Sequence, residues 1–344
     1  MNSSAVTFVA PRRVEVQHEE VSGPTPGHVL VRTRVSAISA GTELLVYRGQ
    51  APADMAADEV IPGLAGALDF PLRYGYAAAG AVVDAAPGID PTLGGRRVFA
   101  FHPHASLFQA EPDALLLIPD DVSFDDAVML PSMETAVNLV MDGAPLLGEN
   151  ILVIGQGVVG LLTTALLAQM PLGGLATLDA LEARRRESLR LGATAALDPA
   201  APGVMDEIAE AFDGQGADLV FELSGRPEAL DTAIAAAGFG ARVVIGSWYG
   251  TKRAPIDLGG RFHRSRIRLI SSQVTTIAPE LTGRWSKRRR FQSAWRMIRR
   301  VAPSRLVTGR FAIADAPAAY ALLDEAPGEA LQVLLTYDDA GMAQ

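Results

Sequence analysis

Ten residues, Ile151-Leu-Val-Ile-Gly155-Gln-Gly157-Val-Val-Gly160, constrain the fold more than any other stretch of the chain. Four apolar residues suit a buried strand, and the apolar run that resumes at Val158 suits a helix. Between and within them sit three glycines at G-x-G-x-x-G spacing. The first permits a tight turn, the second lets backbone approach a pyrophosphate, and the third lets helix and strand pack closely. Downstream, strands are predicted at 151–154, 176–178, 219–222, 242–245 and 267–271. Helices are predicted at 158–169, 184–191, 204–212 and 227–237. This βαβ periodicity predicts a parallel sheet covered on both faces, an α/β Rossmann-type domain.

The motif predicts a nicotinamide dinucleotide site lined by Gly155, Gln156, Gly157, Val158, Val159 and Gly160, with the pyrophosphate on the helix N-terminus. Asp179 ends the next predicted strand at the interval expected for an acid on the adenosine ribose. Its charge favours NAD(H) over NADP(H), because a 2′-phosphate is repelled there. Arg184 keeps NADP(H) open: it reads either as a phosphate holder or as a solvated helix-start residue. Ser224, Gly225, Gly246 and Ser247 follow later strands at carboxyl ends, where such sheets bind ligands. Each reads equally well as ordinary turn chemistry.

The flanking sequence has another texture. Strands are predicted at 6–16, 29–38, 75–84, 97–101 and 114–118, separated by Gly/Pro turns. A helix is predicted at 125–141, then a late helix at 317–324 and a strand at 332–336. The 344 residues suit two domains. The expected division is a Rossmann domain at 124–304 and a β-rich domain built from 1–123 and 305–344.

The longest apolar stretch, 151–170, is broken by glycines, Gln156 and two threonines, so no membrane span is expected. No basic-then-apolar leader opens the chain, and a cytoplasmic location is expected. The absence of cysteine excludes disulfides, thiolate catalysis and sulfur-ligated metal. A net charge of −9 disfavours nucleic-acid partners. The exception is 284–300, with eight Lys/Arg and no acid. It reads as a solvated amphipathic helix, a wall for an anionic substrate, or a surface for an acidic membrane or nucleic acid.

Taken together, Gly41-Thr-Glu43, Gly75-Tyr-Ala-Ala-Ala-Gly80, the Gly155 motif, Leu191-Gly-Ala193, Phe221-Glu-Leu-Ser-Gly225 and the pattern closing at Leu335 resemble the medium-chain dehydrogenase/reductase superfamily. The resemblance covers almost the whole chain. It implies a GroES-like catalytic domain made from both chain ends, an active site in a cleft, and a homodimer pairing near Ile267 to Gln273. It also implies hydride exchange between nicotinamide and an alcohol or carbonyl.

The family's zinc positions are changed. The catalytic-cysteine region reads Ile38-Ser39-Ala40-Gly41, the Gly-His-Glu motif reads Gly75-Tyr76-Ala77, and the third ligand falls near Pro131 or Ser132. No zinc is expected. A hydroxyl or imidazole must then polarise the substrate oxygen. The candidates are Tyr76 at the lost histidine position, Glu43, Thr42 and His102. Arg48, His104, Trp248 and Arg264 are candidates for binding a polar or anionic substrate. Two alternatives stay open: reduction of an enone or quinone C=C bond, and a non-catalytic nicotinamide-binding sensor or scaffold.

Overall fold

A computed structural model describes residues 1–52 and 66–337. The elements run β1 Asn2–Ala10, β2 Arg13–Glu20, β3 Val29–Ile38, α1 Ala40–Tyr47, β4 Ala78–Ala85, β5 Arg97–Ala100, β6 Leu107–Ala110 and β7 Leu115–Leu117. Then come α2 Phe124–Ala127, α3 Leu130–Gly143, β8 Asn150–Ile154, α4 Val158–Leu167, β9 Gly174–Leu178, α5 Glu182–Arg190 and β10 Ala195–Leu197. After these follow α6 Val204–Ala211, β11 Ala217–Glu222, α7 Ala229–Ala236, β12 Ala237–Ile245, β13 Arg268–Ser271 and α8 Lys287–Val301. The chain closes with β14 Val307–Ala312, α9 Ala316–Glu325 and β15 Gln332–Thr336. It divides into two compact units: Met1–Pro131 with Ala302–Gln344, and Ser132–Val301.

The second unit holds a six-stranded sheet of order β10-β9-β8-β11-β12-β13. Every neighbouring pair in it is parallel. Counted from β8, that order is 3-2-1-4-5-6, the doubly wound Rossmann arrangement, and its direction switches between β8 and β11. Alternate residues of one strand feed opposite cores. Leu152, Ile154 and Val220 pack with Ile208, Phe212 and Ile234. Ile151, Val153 and Leu219 pack with Leu139 and Leu167. Both faces are therefore covered, as the near-continuous apolar strands require.

The first unit is β-rich and GroES-like. A seven-stranded sheet runs β14-β15-β3-β4-β5-β7, with β6 also pairing β3, beside the β1–β2 hairpin. Chain ends meet here: β15 lies antiparallel to β3, with Leu334 opposite Ala37.

The structure adds α1, β6, β10 and β14 to the expected elements, and three expected ones differ in extent. The stretch 6–16 is not one strand but two, turning at Pro11-Arg12, where Arg12 takes φ +59°. Glycine ordinarily marks such a position, and none stands here. The helix expected at 125–141 is two helices, because Pro131 lacks the N–H needed to continue through it. Strand β12 starts at Ala237, five residues before the expected 242.

Candidate functional site

At the carboxyl end of β8, Gly155 turns with φ +90°. A Cβ at Gly155 would lie 2.6 Å from the backbone of Leu223 and Ser224. A Cβ at Gly160 would lie 1.9 Å from the Gly155 carbonyl oxygen. These two glycines are thus required by packing. Gly157 is different: a Cβ there meets nothing within 4 Å, and it caps the open N-terminus of α4. Val158 and Val159 begin that helix and are partly exposed. An empty space over amides at a helix N-terminus fits an anionic pyrophosphate.

Asp179 stands beside this turn. Its Oδ2 accepts the Gln156 backbone N–H at 2.7 Å and its Oδ1 accepts that of Leu181 at 2.8 Å. Two backbone donors hold the carboxylate at the end of β9. Arg184 approaches it to 3.9 Å. The Gln156 side chain is buried and does not face outward; its amide accepts from Thr164 at 3.0 Å.

On the other side of the switch point, buried Glu222 ends β11. It accepts the Ser224 backbone N–H at 2.8 Å, the Ser224 hydroxyl, and the Tyr249 hydroxyl at 2.5 Å. Burial, with Glu222 adding to it, pushes the Tyr249 phenol far up. Ser247 Oγ accepts the Gly225 N–H at 2.9 Å. Gly246 has no room for a side chain, since a Cβ would lie 2.6 Å from Leu139 and Leu223. Trp248 follows, half-buried. Ser224, Gly225, Gly246 and Ser247 therefore form one turn cluster beside the Gly155 cradle.

The loop after β13 is fixed from below by Arg290, a fully buried arginine of α8. Its Nε and Nη2 donate to Glu134 Oε1 at 3.0 and 2.8 Å. Its Nη1 donates to Asn138 Oδ1 and the Thr276 carbonyl, and its Nη2 also to the Val274 carbonyl. Burial pushes the Glu134 carboxyl up, and Arg290 pulls it back. Glu134 is thus a structural partner of Arg290. Sequence reading counts Arg290 among the eight cations of 284–300, on a solvated helix, a wall for an anionic substrate, or a surface for a membrane or nucleic acid. It lies four residues before Ala294 and eight before Ile298, both buried, so helical phase puts it on the inner stripe.

In the β-rich unit, Glu43 and His104 are fully buried. Glu43 Oε1 accepts the Ser39 backbone N–H at 2.7 Å. Its Oε2 accepts from His104 Nε2 at 3.0 Å and from the Tyr320 hydroxyl at 2.5 Å. His104 Nδ1 lies 2.7 Å from Ser36 Oγ, which lies 2.7 Å from the Tyr337 hydroxyl. Burial pushes the Tyr320 and Tyr337 phenols well up. Each of these five side chains, Glu43, His104, Ser36, Tyr320 and Tyr337, has a hydrogen-bond partner, which is what makes their burial tolerable. Glu43 and His104 are therefore internal braces, closed to a ligand.

Tyr76 is half-buried and donates to Ser39 Oγ at 2.5 Å. The Ser39 backbone is itself held by Glu43, so the brace orients the hydroxyl pair. Sequence reading missed Ser39, Ser36, Tyr320, Tyr337, Arg290 and Asn138. Thr42 lies in the first turn of α1, its N–H donating to the Ser39 carbonyl at 3.1 Å. His102 stacks on Phe108 at 3.9 Å and donates from Nδ1 to the Pro103 carbonyl at 2.8 Å. Burial drops its pKa to about 4, so it is neutral at pH 7.

Two expected substrate arginines are placed elsewhere. Arg48 donates to Asp324 at 2.5 Å within its own unit, and its charge is already matched. Arg264 is exposed and precedes β13, at the amino end of the sheet. The Gly155 turn is at the carboxyl ends of the same parallel strands.

The family model described as zinc-binding dehydrogenase matches residues 158–297. A short chain alcohol dehydrogenase from Escherichia coli CFT073, solved with NADH, superposes with a TM-score of 0.78 at 18% identity. That match covers 97% of this chain and 99% of the other. The chain thus shares the fold of that dehydrogenase. L-threonine 3-dehydrogenase from Pyrococcus furiosus is 24% identical over 261 residues, 67% of this chain and 71% of the relative. A protein from Sinorhizobium meliloti 1021 bound to NADP superposes with a TM-score of 0.78 at 18% identity, covering 98% and 99% of the two chains.

This chain's donor set does not suit zinc. It has no cysteine, and Tyr76 stands where the resemblance drawn from the sequence would put a ligand histidine. Among the described residues, no group of three His, Cys, Asp or Glu side chains is placed to hold a metal ion. Among them, too, no helix is long and apolar enough to cross a membrane.

Proposed function

We propose that the chain is a zinc-independent, NAD(P)-dependent oxidoreductase that interconverts an alcohol and a carbonyl, with NAD(H) the favoured cofactor. The observation that carries this reading is the open space over Gly157, flanked by packed Gly155 and Gly160 and by Asp179. When bound there, the nicotinamide supplies or accepts the hydride. Asp179 binds the adenosine ribose hydroxyls and repels a 2′-phosphate. A homodimer pairing along the exposed edge of β13 is part of the proposal, supported by the exposed Phe239 and Leu269. A monomer mass by light scattering at micromolar concentration would contradict that pairing.

The Tyr76–Ser39 pair polarises the substrate oxygen. Because Tyr76 donates to Ser39 Oγ, the Ser39 proton is free to point to an incoming carbonyl oxygen. As hydride reaches the carbonyl carbon, Ser39 gives its proton to the developing alkoxide and takes one from Tyr76. Glu43 and His104 keep Ser39 in place and exchange no proton with substrate. General acid catalysis of this kind contributes about 10²–10⁴ in rate. Tyr76→Phe is therefore expected to lower kcat for NADH-dependent ketone reduction by at least ~100-fold. Its affinity for NADH should not change. Unaltered kcat/KM in this variant would sink the assignment.

A further inference from the structure

The parallel sheet has a second end, and the basic run His263-Arg264-Ser265-Arg266-Ile267-Arg268 lies there. A hollow of about 560 Å³ opens beside it, lined by Gly240, Phe262, His263, Arg266, Ile267 and Arg268. Three of the six can carry positive charge and none is acidic. Among the described residues, no carboxylate pairs with Arg266 or Arg268. Two buried or half-buried arginines of this unit are matched by carboxylates, Arg242 by Glu149 and Arg290 by Glu134. In a chain of net charge −9, an unmatched basic hollow is conspicuous by its chemistry.

Backbone geometry adds a second, independent observation. The helical turn over Leu258–Phe262 and the residues after it ends with Arg266 at φ +54°. Ile267 N donates to the Phe262 carbonyl at 3.2 Å and Arg266 N to the His263 carbonyl at 3.4 Å. This is a Schellman cap, and Arg266 fills the left-handed position that glycine fills without strain. An arginine there costs stability. That strained residue is one that lines the hollow, and strain of this kind is often retained for binding.

We propose that this hollow is a binding site for a small multivalent oxyanion, phosphorylated or polycarboxylate, separate from the dinucleotide cradle at the opposite sheet end. Arg266 and Arg268 supply charge and paired donors, and Phe262 with Ile267 supplies an apolar floor. The site does not depend on the proposed reaction.

The test measures Tm of wild type, Arg266→Gly, Arg268→Gln and Arg264→Gln while inorganic phosphate or citrate is titrated at constant ionic strength. Arg264 does not line the hollow and serves as the control. Wild type and Arg264→Gln are expected to gain about 3 °C or more at saturation. Arg266→Gly should start about 2 °C above wild type, because its strain is relieved, and should lose most of the anion-dependent gain. Arg268→Gln should lose the gain without that head start. Binding of either anion in the cofactor cradle would raise all four alike and overturn the proposal. So would loss of the gain in Arg264→Gln, which would reduce the effect to general surface charge. A fall in molecular mass in Arg266→Gly by light scattering would assign the hollow to a second copy of the chain, and would equally overturn it.

Discussion

Replacing Arg290 by alanine is expected to destabilise the Rossmann unit by roughly 3–5 kcal/mol. The guanidinium is fully buried and meets Glu134, Asn138 and the carbonyls of Val274 and Thr276. Its removal leaves the Glu134 carboxylate inside without a cation and strips the Val274 and Thr276 carbonyls of its donation. The loss arises mainly from those abandoned partners, and a buried pair as a whole contributes little net stability. Asn138 also donates to Asp142 and Ser272, so the damage reaches the end of β13. The double variant Glu134→Met with Arg290→Met should recover most of the loss, since it removes the orphaned charge and refills the volume. Chemical denaturation of the three proteins measures this. A single-variant cost below about 1 kcal/mol would contradict the clamp.

Gly160→Ala is expected to weaken NADH binding by at least ~100-fold, about 2.7 kcal/mol. The new methyl would stand 1.9 Å from the Gly155 carbonyl oxygen, a backbone atom that cannot rotate away. Helix α4 must lift from β8, and the amides at its start lose their aim. Stability should fall with it. Gly157→Ala separates the two effects. A Cβ at Gly157 meets no protein atom within 4 Å, so Tm should hold while affinity drops. Equal NADH affinity in wild type and Gly157→Ala would mean that the space above Gly157 is not the pyrophosphate site.

The Rossmann half of the fold is legible in sequence because its signals are local. A strand of four apolar residues, three spaced glycines and a following apolar helix fit within ten positions. The repeat of that pattern implies the parallel sheet. What sequence reading misses depends on contacts across long separations. Glu43 meets His104 and Tyr320, 61 and 277 positions away. The three become one buried brace only when β15 is laid against β3. Glu43 and His104 were therefore read as chemistry, when their environment makes them structure. Ser39 enters the sequence reading only as part of the changed zinc region, because its contact with the Tyr76 hydroxyl spans 37 positions.

The arginines show a related limit. In the run Lys287-Arg-Arg-Arg290, composition gives four equivalent cations. Helical phase singles out Arg290 as inward, a signal available in sequence once the buried stripe of Ala294 and Ile298 is used as the ruler. Arg48 offers no such signal, because its partner Asp324 lies 276 positions on. Arg264 could have been placed from topology alone: a residue preceding a parallel strand is at the end opposite the ligand.

Titration of the purified chain with NADH and, separately, NADPH, followed by nicotinamide fluorescence or calorimetry, tests the central claim most directly. The account predicts one saturable site per chain, tighter for NADH than for NADPH because, in the proposed site, the Asp179 carboxylate would repel a 2′-phosphate. No saturable binding of either nucleotide would contradict it.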